Sequence, residues 1–179
     1  MKNAAYVLRL ALTLLLITAA VAGALAGVNA LTRDKIAAIA AEKTQKAVSR
    51  VLDGEAIEVS LSGDTGMVRS LYESEYGYAV EVVTAGFGGD IRMMVGISKE
   101  CAVTGIDVIS HTETAGLGSV AAEASSKGEA FREQYAGHSG SLAVDKDGGA
   151  IDSITSATIT SRAVTAGVNA ALEFIKNYG

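Results

Sequence analysis

The stretch Asp152-Ser153-Ile154-Thr155-Ser156-Ala157-Thr158-Ile159-Thr160-Ser161-Arg162 crowds hydroxyl side chains around one alanine, and an apolar helical pattern follows it at once. Large aliphatics fall at Val164, Val168, Leu172 and Ile175, a spacing that lines one face of a helix. This predicts a final helix from about Ser161 to Tyr178, with Thr158, Thr160 and Ser161 where it begins. A helix start carries unpaired backbone N–H groups and the positive end of the macrodipole. Such a place holds phosphate well. The plainer reading of Thr158 or Thr160 is an N-cap.

Upstream of this stretch, Leu142 to Val144 and Ala150 to Ile154 read as a hairpin around Asp147-Gly148-Gly149, with Asp-Gly as the tight-turn chemistry. Gly128 to Tyr135 reads as a short helix with Phe131 and Tyr135 on one face. Val120 to Ser125 is also helix-prone. Ile91 to Ile97 and Val103 to Ile109 are the strongest strand candidates, separated by Ser98-Lys99-Glu100. Met67 to Tyr72 and Tyr78 to Val83 pair around Glu75 to Gly77, and Ile57 to Leu61 is a short strand ending in a Ser62-Gly63-Asp64 turn. Thr84 to Asp90 reads as a flexible connection. The sum is an antiparallel sheet of four or five strands that needs cover on at least one face, and the last helix supplies it.

The first part of the chain is different in kind. From Leu10 to Leu31 there is no charge, and at the helical rise this run spans a hydrocarbon core of about 30 Å. Lys2 and Arg9 precede it without an acid, and the positive-inside rule then favours a cytoplasmic N-terminus. A cleaved signal peptide is the competing reading, since Ala22-Gly23-Ala24 and Ala24-Leu25-Ala26 offer small residues of the right kind. The run exceeds the usual signal core of about 7–15 residues, which favours a retained anchor. Asp34 to Leu52 continues as an amphipathic helix that Asp53-Gly54 ends. The expected organisation is therefore an N-terminal transmembrane anchor over 1–32, a helical stalk over 33–54 and a soluble domain over 55–179. The fold class is α+β: a single N-terminal transmembrane helix, then a mainly antiparallel β-sheet domain with packed helices.

Composition narrows the chemistry. A net charge of −5 leaves no basic footprint for nucleic acid. One cysteine, Cys101, excludes an intramolecular disulfide framework and a cysteine-ligated iron–sulfur cluster made by this chain alone. His111 and His138 form no spacing motif with Thr158, so the threonine has no evident activating base and no catalytic residue is assigned. His111 beside Glu113 lacks a third ligand, and no metal site is assigned. The second informative string is His111-Thr112-Glu113-Thr114-Ala115-Gly116-Leu117-Gly118-Ser119, two glycines around one leucine after a strand. It has neither a dinucleotide fingerprint nor a Walker lysine.

These two strings resemble the motifs of the FMN-binding domain family. The family's usual Asp-x-x-(Ser/Thr)-Gly-Ala-Thr matches Asp152, Thr155, Ala157 and Thr158, with Ser156 in place of the glycine. The resemblance implies that Thr158 carries FMN through a phosphoester bond. Thr160 sits at the same helix start, and Arg162, about a turn on, either adds a charge-assisted bond to that phosphate or is an exposed surface charge. The family's Glu-Thr-Pro-Gly-Leu-Gly matches Glu113, Thr114, Gly116, Leu117 and Gly118, with Ala115 in place of the proline. Glycines there let backbone approach an isoalloxazine edge, and Thr114 is implied as a hydrogen-bonding partner of that edge.

The order of motifs, the anchor and the length resemble the G subunit of the Rnf (Rsx) membrane complex. The C subunit of the sodium-translocating NADH:quinone oxidoreductase has a related domain. The Rnf resemblance implies an electron-carrier subunit with covalent FMN in an ion-translocating ferredoxin:NAD⁺ oxidoreductase. It implies a single-pass protein of the cell (inner) membrane with the FMN domain outside the cytoplasm. Implied partners are membrane subunits A, D and E, subunits B and C on the cytoplasmic side, membrane lipid, and a flavin transferase during maturation. One membrane helix makes no transport path, so this chain is not expected to move ions or catalyse alone. The other readings are an FMN module of the NADH:quinone enzyme or another extracytoplasmic electron-transfer chain, and a flavin-free membrane scaffold.

Overall fold

A computed structural model describes residues 2–61, 63 and 65–178. The chain divides into two units, one up to Glu42 and one from Lys43. Helix α1, Lys2–Val51, contains the first unit and runs on into the second. In the first unit, Leu12, Leu14, Leu15, Leu16 and Ile17 are all exposed, and at the helical turn per residue they point in every direction around the helix. A helix that is apolar all round suits lipid better than water. Among the described residues, this is the one helix long and apolar enough to cross a membrane. Its hydroxyls are satisfied internally: Thr13 donates to the Arg9 carbonyl at 2.8 Å and Thr18 to that of Leu14 at 2.9 Å.

The second unit is built on a five-stranded antiparallel meander in the order β1 to β5. The strands are β1 Ile57–Val59, β2 Val68–Glu73, β3 Gly77–Ala85, β4 Asp90–Ser98 and β5 Val103–Ser110. The five strands expected between Ile57 and Ile109 all form, and the α+β class holds. Ser62 and Asp64 of the expected turn after β1 lie outside the described residues. Alternation sorts the side chains by face. Val80 and Val82 of β3 lie opposite Val95 and Met93 of β4, and all four are fully buried. They meet α3, Thr158–Tyr178, through Val164, Val168, Leu172 and Ile175, the face that the sequence marks. Each such fully buried side chain stabilises by about 1.5–3 kcal/mol. At Gly167 the helix comes so close that a Cβ would overlap the Met93 methyl.

The other face of the sheet is covered too. Ala47, Val48, Val51 and Leu52 are buried with Tyr72, Ala79, Met94 and Ile109. The last turns of the expected stalk are thus part of the domain core. Thr104 Oγ1 donates to the Val51 carbonyl at 2.6 Å, and Arg50 pairs with Asp107 at 3.1 Å. Beneath them Glu81, only 4% exposed, pairs with Arg92 and accepts from Ser70 Oγ at 2.7 Å. Arg92 Nη2 also donates to Thr44 Oγ1 at 3.1 Å. A buried carboxylate survives only with such partners.

Two local expectations change. The hairpin of Leu142–Val144 with Ala150–Ile154 does not form. A 3₁₀ turn at Asp145–Asp147 and a left-handed Gly148 (φ 78°) carry the chain round instead, and Val144 meets Ile151 in an isolated parallel bridge. The helix-prone run after Leu117 is a 3₁₀ helix, Gly118–Ala122. Then α2, Ser126–Glu133, begins at a cap in which Ser125 Oγ accepts the Gly128 N–H at 3.3 Å. Phe131 and Tyr135 do share a buried face, with ring centroids 5.5 Å apart.

Tyr135 is fully buried, and its hydroxyl lies 2.8 Å from Thr165 Oγ1. Burial pushes its phenol up from 10.0 to about 12. The folded chain keeps a proton that the unfolded chain releases near the lower value. Stability is therefore fully present below about pH 10 and falls as pH rises through the folded value. Denaturant melts with tyrosinate absorbance should show this loss, and Tyr135→Phe should flatten the slope above about pH 10.

Candidate functional site

The site loop is fixed from behind by one buried hydroxyl. Ser161, in the first turns of α3, accepts the Ile154 N–H at 2.9 Å and donates to the Ala157 carbonyl at 3.1 Å. Between these points the chain turns tightly, with the Ala157 N–H on the Ile154 carbonyl at 2.9 Å and Ser156 in the left-handed region at φ 65°. This conformation explains why glycine suits the Ser156 position. Gln134 grips the backbone of Asp152 on both sides, accepting its N–H at 2.7 Å and donating to its carbonyl at 3.3 Å. Asp145 Oδ1 accepts the Ser153 N–H at 3.0 Å. Hydrogen bonds from Ser153 and then Lys146 hold the Asp145 carboxyl well below the usual carboxylate range.

Helix α3 begins at Thr158 rather than Ser161, so Thr158 is its first residue. The residue before it is Ala157, which has no side-chain acceptor to cap the free N–H groups of the first turn. Thr158 is half-buried on the wall of a cleft of about 390 Å³. Phe87, Glu113, Thr114, Leu117, Gly118, Ser156, Ala157, Ile159 and Thr160 complete that wall. A second cleft of about 670 Å³ lies beside it, sharing Leu117 and Ser156. Gly116, Lys127, Phe131, Gln134, Asp152 and Thr155 are among its lining.

Glu113 joins the two sides of the first cleft. Its Oε1 accepts the Gly88 N–H at 3.0 Å from the β3–β4 loop, and its Oε2 accepts the Thr160 hydroxyl at 2.7 Å from α3. Its own N–H donates to His111 Nδ1 at 3.2 Å, which gives that histidine a structural partner. Gly118 leaves room for this clamp, since a Cβ there would overlap both Glu113 Oε2 and Thr160 Oγ1. Thr114 offers its carbonyl to the N–H groups of Leu117 and Ser119, both at 3.2 Å, and so folds the loop.

The structure thus brings eight of the expected residues to the Thr158 cleft: Thr158 itself, Glu113, Thr114, Leu117, Gly118, Ser156, Ala157 and Thr160. Gly116, Asp152 and Thr155 face the neighbouring one. Arg162 lines neither. Its guanidinium makes two hydrogen bonds to Asp147, at 2.7 and 2.6 Å, along a separate groove with Leu142 and Asn169. This bidentate pairing with a carboxylate engages the guanidinium away from Thr158. Thr160 is 1% exposed and its hydroxyl is engaged by Glu113, so it supports the wall from within. Phe87 and Ile159, both exposed, were not expected at the site. For Phe87 the available signal is a single aromatic set among the glycines of Gly86-Phe87-Gly88-Gly89.

Fold and site define an α+β domain with a cleft that opens at a helix start. Residues 86–173 match the model of the FMN-binding domain family. It is similar to the G subunit of the ion-translocating oxidoreductase complex of Aliivibrio fischeri, 37% identical over 61% of this chain and 54% of that protein. It is also similar to the G subunit of the Na⁺-translocating ferredoxin:NAD⁺ oxidoreductase complex of Acetobacterium woodii, 31% identical over 76% of this chain and 63% of that one. The chain therefore spans about half to under two-thirds of the length of these two relatives. Its fold is shared with the crystal structure of the C subunit of Na⁺-translocating NADH-quinone reductase from Parabacteroides distasonis. The TM-score is 0.50 at 19% identity, covering 75% of this chain and 83% of that one.

The left-handed Ser156 gives a direct check on the loop. Ser156→Gly relieves the steric cost at φ 65° and should raise stability by up to about 1 kcal/mol in urea melts, while Ser156→Val should lower it by about as much.

Proposed function

We propose that the chain is the electron-carrier subunit of an Rnf-type ion-translocating ferredoxin:NAD⁺ oxidoreductase, with FMN joined by a phosphoester to Thr158 Oγ. One observation carries the attachment point. Of the three threonines in the motif, Thr158 is the one that is both first in the helix and on the wall of the 390 Å³ cleft without being buried. Thr160 is buried and engaged, and Thr155 lies before the helix on the other cleft.

The residues present fit FMN. The cleft is within the usual range of about 300–1,000 Å³ for a small-molecule site. Its polar end is the uncapped start of α3, and its apolar surface comes from Phe87, Leu117 and Ile159. Bound FMN supplies one- and two-electron redox chemistry that side chains lack. The chain's own groups do the rest. The helix start favours the remaining phosphoester charge by about 0.3–1 kcal/mol. Ser161, Gln134 and Asp145 hold the Thr158 loop in place before any ligand arrives. Phe87, Leu117 and Ile159 would shield a ring bound against them from water. A phosphoester tether also keeps a flavin from being lost by dissociation on the far side of a membrane.

In this reading α1 anchors the protein as a single span, N-terminus cytoplasmic and FMN domain extracytoplasmic. Its neighbours are the membrane subunits A, D and E, with B and C on the cytoplasmic side, and a flavin transferase acts during maturation. The similarity to proteins named as the G subunits of such complexes supports this, as does the apolar helix. The test is a denaturing gel read for flavin fluorescence, from a host that supplies flavin transferase. The wild-type band should glow and the Thr158→Ala band should be dark. A dark wild-type band, from a host shown to flavinylate another such domain, refutes the carrier reading.

A further inference from the structure

We propose that Phe87 is the residue that covers the flavin ring, presenting its π face to the isoalloxazine from a rigid glycine mount; this rests on the FMN reading above. Phe87 is 69% exposed, the most exposed aromatic described in the unit from Lys43 onward. The ring is not a lone exposed side chain: Leu117 and Ile159, also exposed, line the same cleft, and apolar surface grouped in a cleft marks a ligand site. The ring lies on the wall of the Thr158 cleft.

The loop that carries it is fixed rather than loose. The Gly86 N–H bonds the Gly89 carbonyl at 2.8 Å, and Thr112 Oγ1 donates to the Gly88 carbonyl at 2.9 Å. The Gly88 N–H is held by Glu113. A Cβ on Gly86 would overlap Glu113 Oε1, one on Gly88 the Thr112 carbonyl, and one on Gly89 Thr112 Oγ1. Each glycine is required by close packing against the exit of β5, and Phe87 is the one side chain the mount leaves. Through Glu113 the same mount is tied to Thr160, two residues from the attachment point. Ring support and tether are thereby set at a fixed separation. The matching ligand is a planar heteroaromatic system, for which an aromatic face offers offset stacking.

The full chain from a flavinylating host tests this with Phe87→Trp, Phe87→Leu and Phe87→Ala. Flavin loading is read first, on denatured protein, and native emission and iodide quenching are compared at equal loading. An indole in contact with the excited flavin donates one electron to it, so Phe87→Trp should lose most of the wild-type emission, whereas Phe87→Leu should not. Phe87→Ala should be quenched by iodide several-fold more readily at an unchanged melting temperature. Flavin attached in every variant, with emission and quenching equal to wild type, overturns this inference alone and leaves Phe87 to another contact. Wild-type protein without flavin overturns the FMN reading, and this inference with it.

Discussion

The Glu113 carboxylate is the constraint on which the site depends. It is 9% exposed, and its two oxygens accept from groups far apart in the sequence: the Gly88 N–H in the β3–β4 loop and the Thr160 hydroxyl in α3. Hydrogen bonds to a charged acceptor contribute about 1.5–3 kcal/mol, and a buried acceptor stripped of them is costly. Neither the loop nor the helix start can move without breaking one of these bonds. The two walls of the cleft are therefore coupled through one side chain, carried on the segment that follows β5.

Around that clamp the domain is stiff where stiffness serves the ligand. Both faces of the sheet are covered, one by α3 and one by the last turns of α1. The loop before Thr158 is gripped at Asp152, Ser153, Ile154 and Ala157 by three different side chains. Order established before binding lowers the entropy that a ligand must otherwise remove. The cost is borne locally at Ser156, whose left-handed backbone a glycine would adopt more easily.

Much of this was legible in the sequence, because it rests on local pattern. The apolar runs along β3, β4 and β5, bounded by turn residues, and the four-residue spacing along α3 are written directly by which residues meet the core. The Thr158 and Glu113 strings were legible because chemistry and backbone shape both restrict them. Pairings between distant segments were not. Nothing local says that Arg162 would find Asp147, or that Glu113 would spend both oxygens inside the protein. The Asp147-Gly148-Gly149 turn has hairpin chemistry, yet the 3₁₀ turn before it directs the chain into a parallel bridge. Residues Ala47 to Leu52 read as an amphipathic stalk, and only the sheet shows that their apolar side is core. Phe87 was missed because an aromatic among glycines reads first as a loose loop.

The central claim is that flavin is held on Thr158. Its most direct measurement is fragmentation mass spectrometry of the tryptic peptide Asp147 to Arg162, from full-length protein made beside a flavin transferase. This peptide contains Ser153, Thr155, Ser156, Thr158, Thr160 and Ser161, so the fragments must choose among six hydroxyls. The account predicts FMN, less one water, on Thr158 alone. The same increment on Thr155 or Thr160, or an unmodified peptide from a host of proven flavinylating activity, would contradict it.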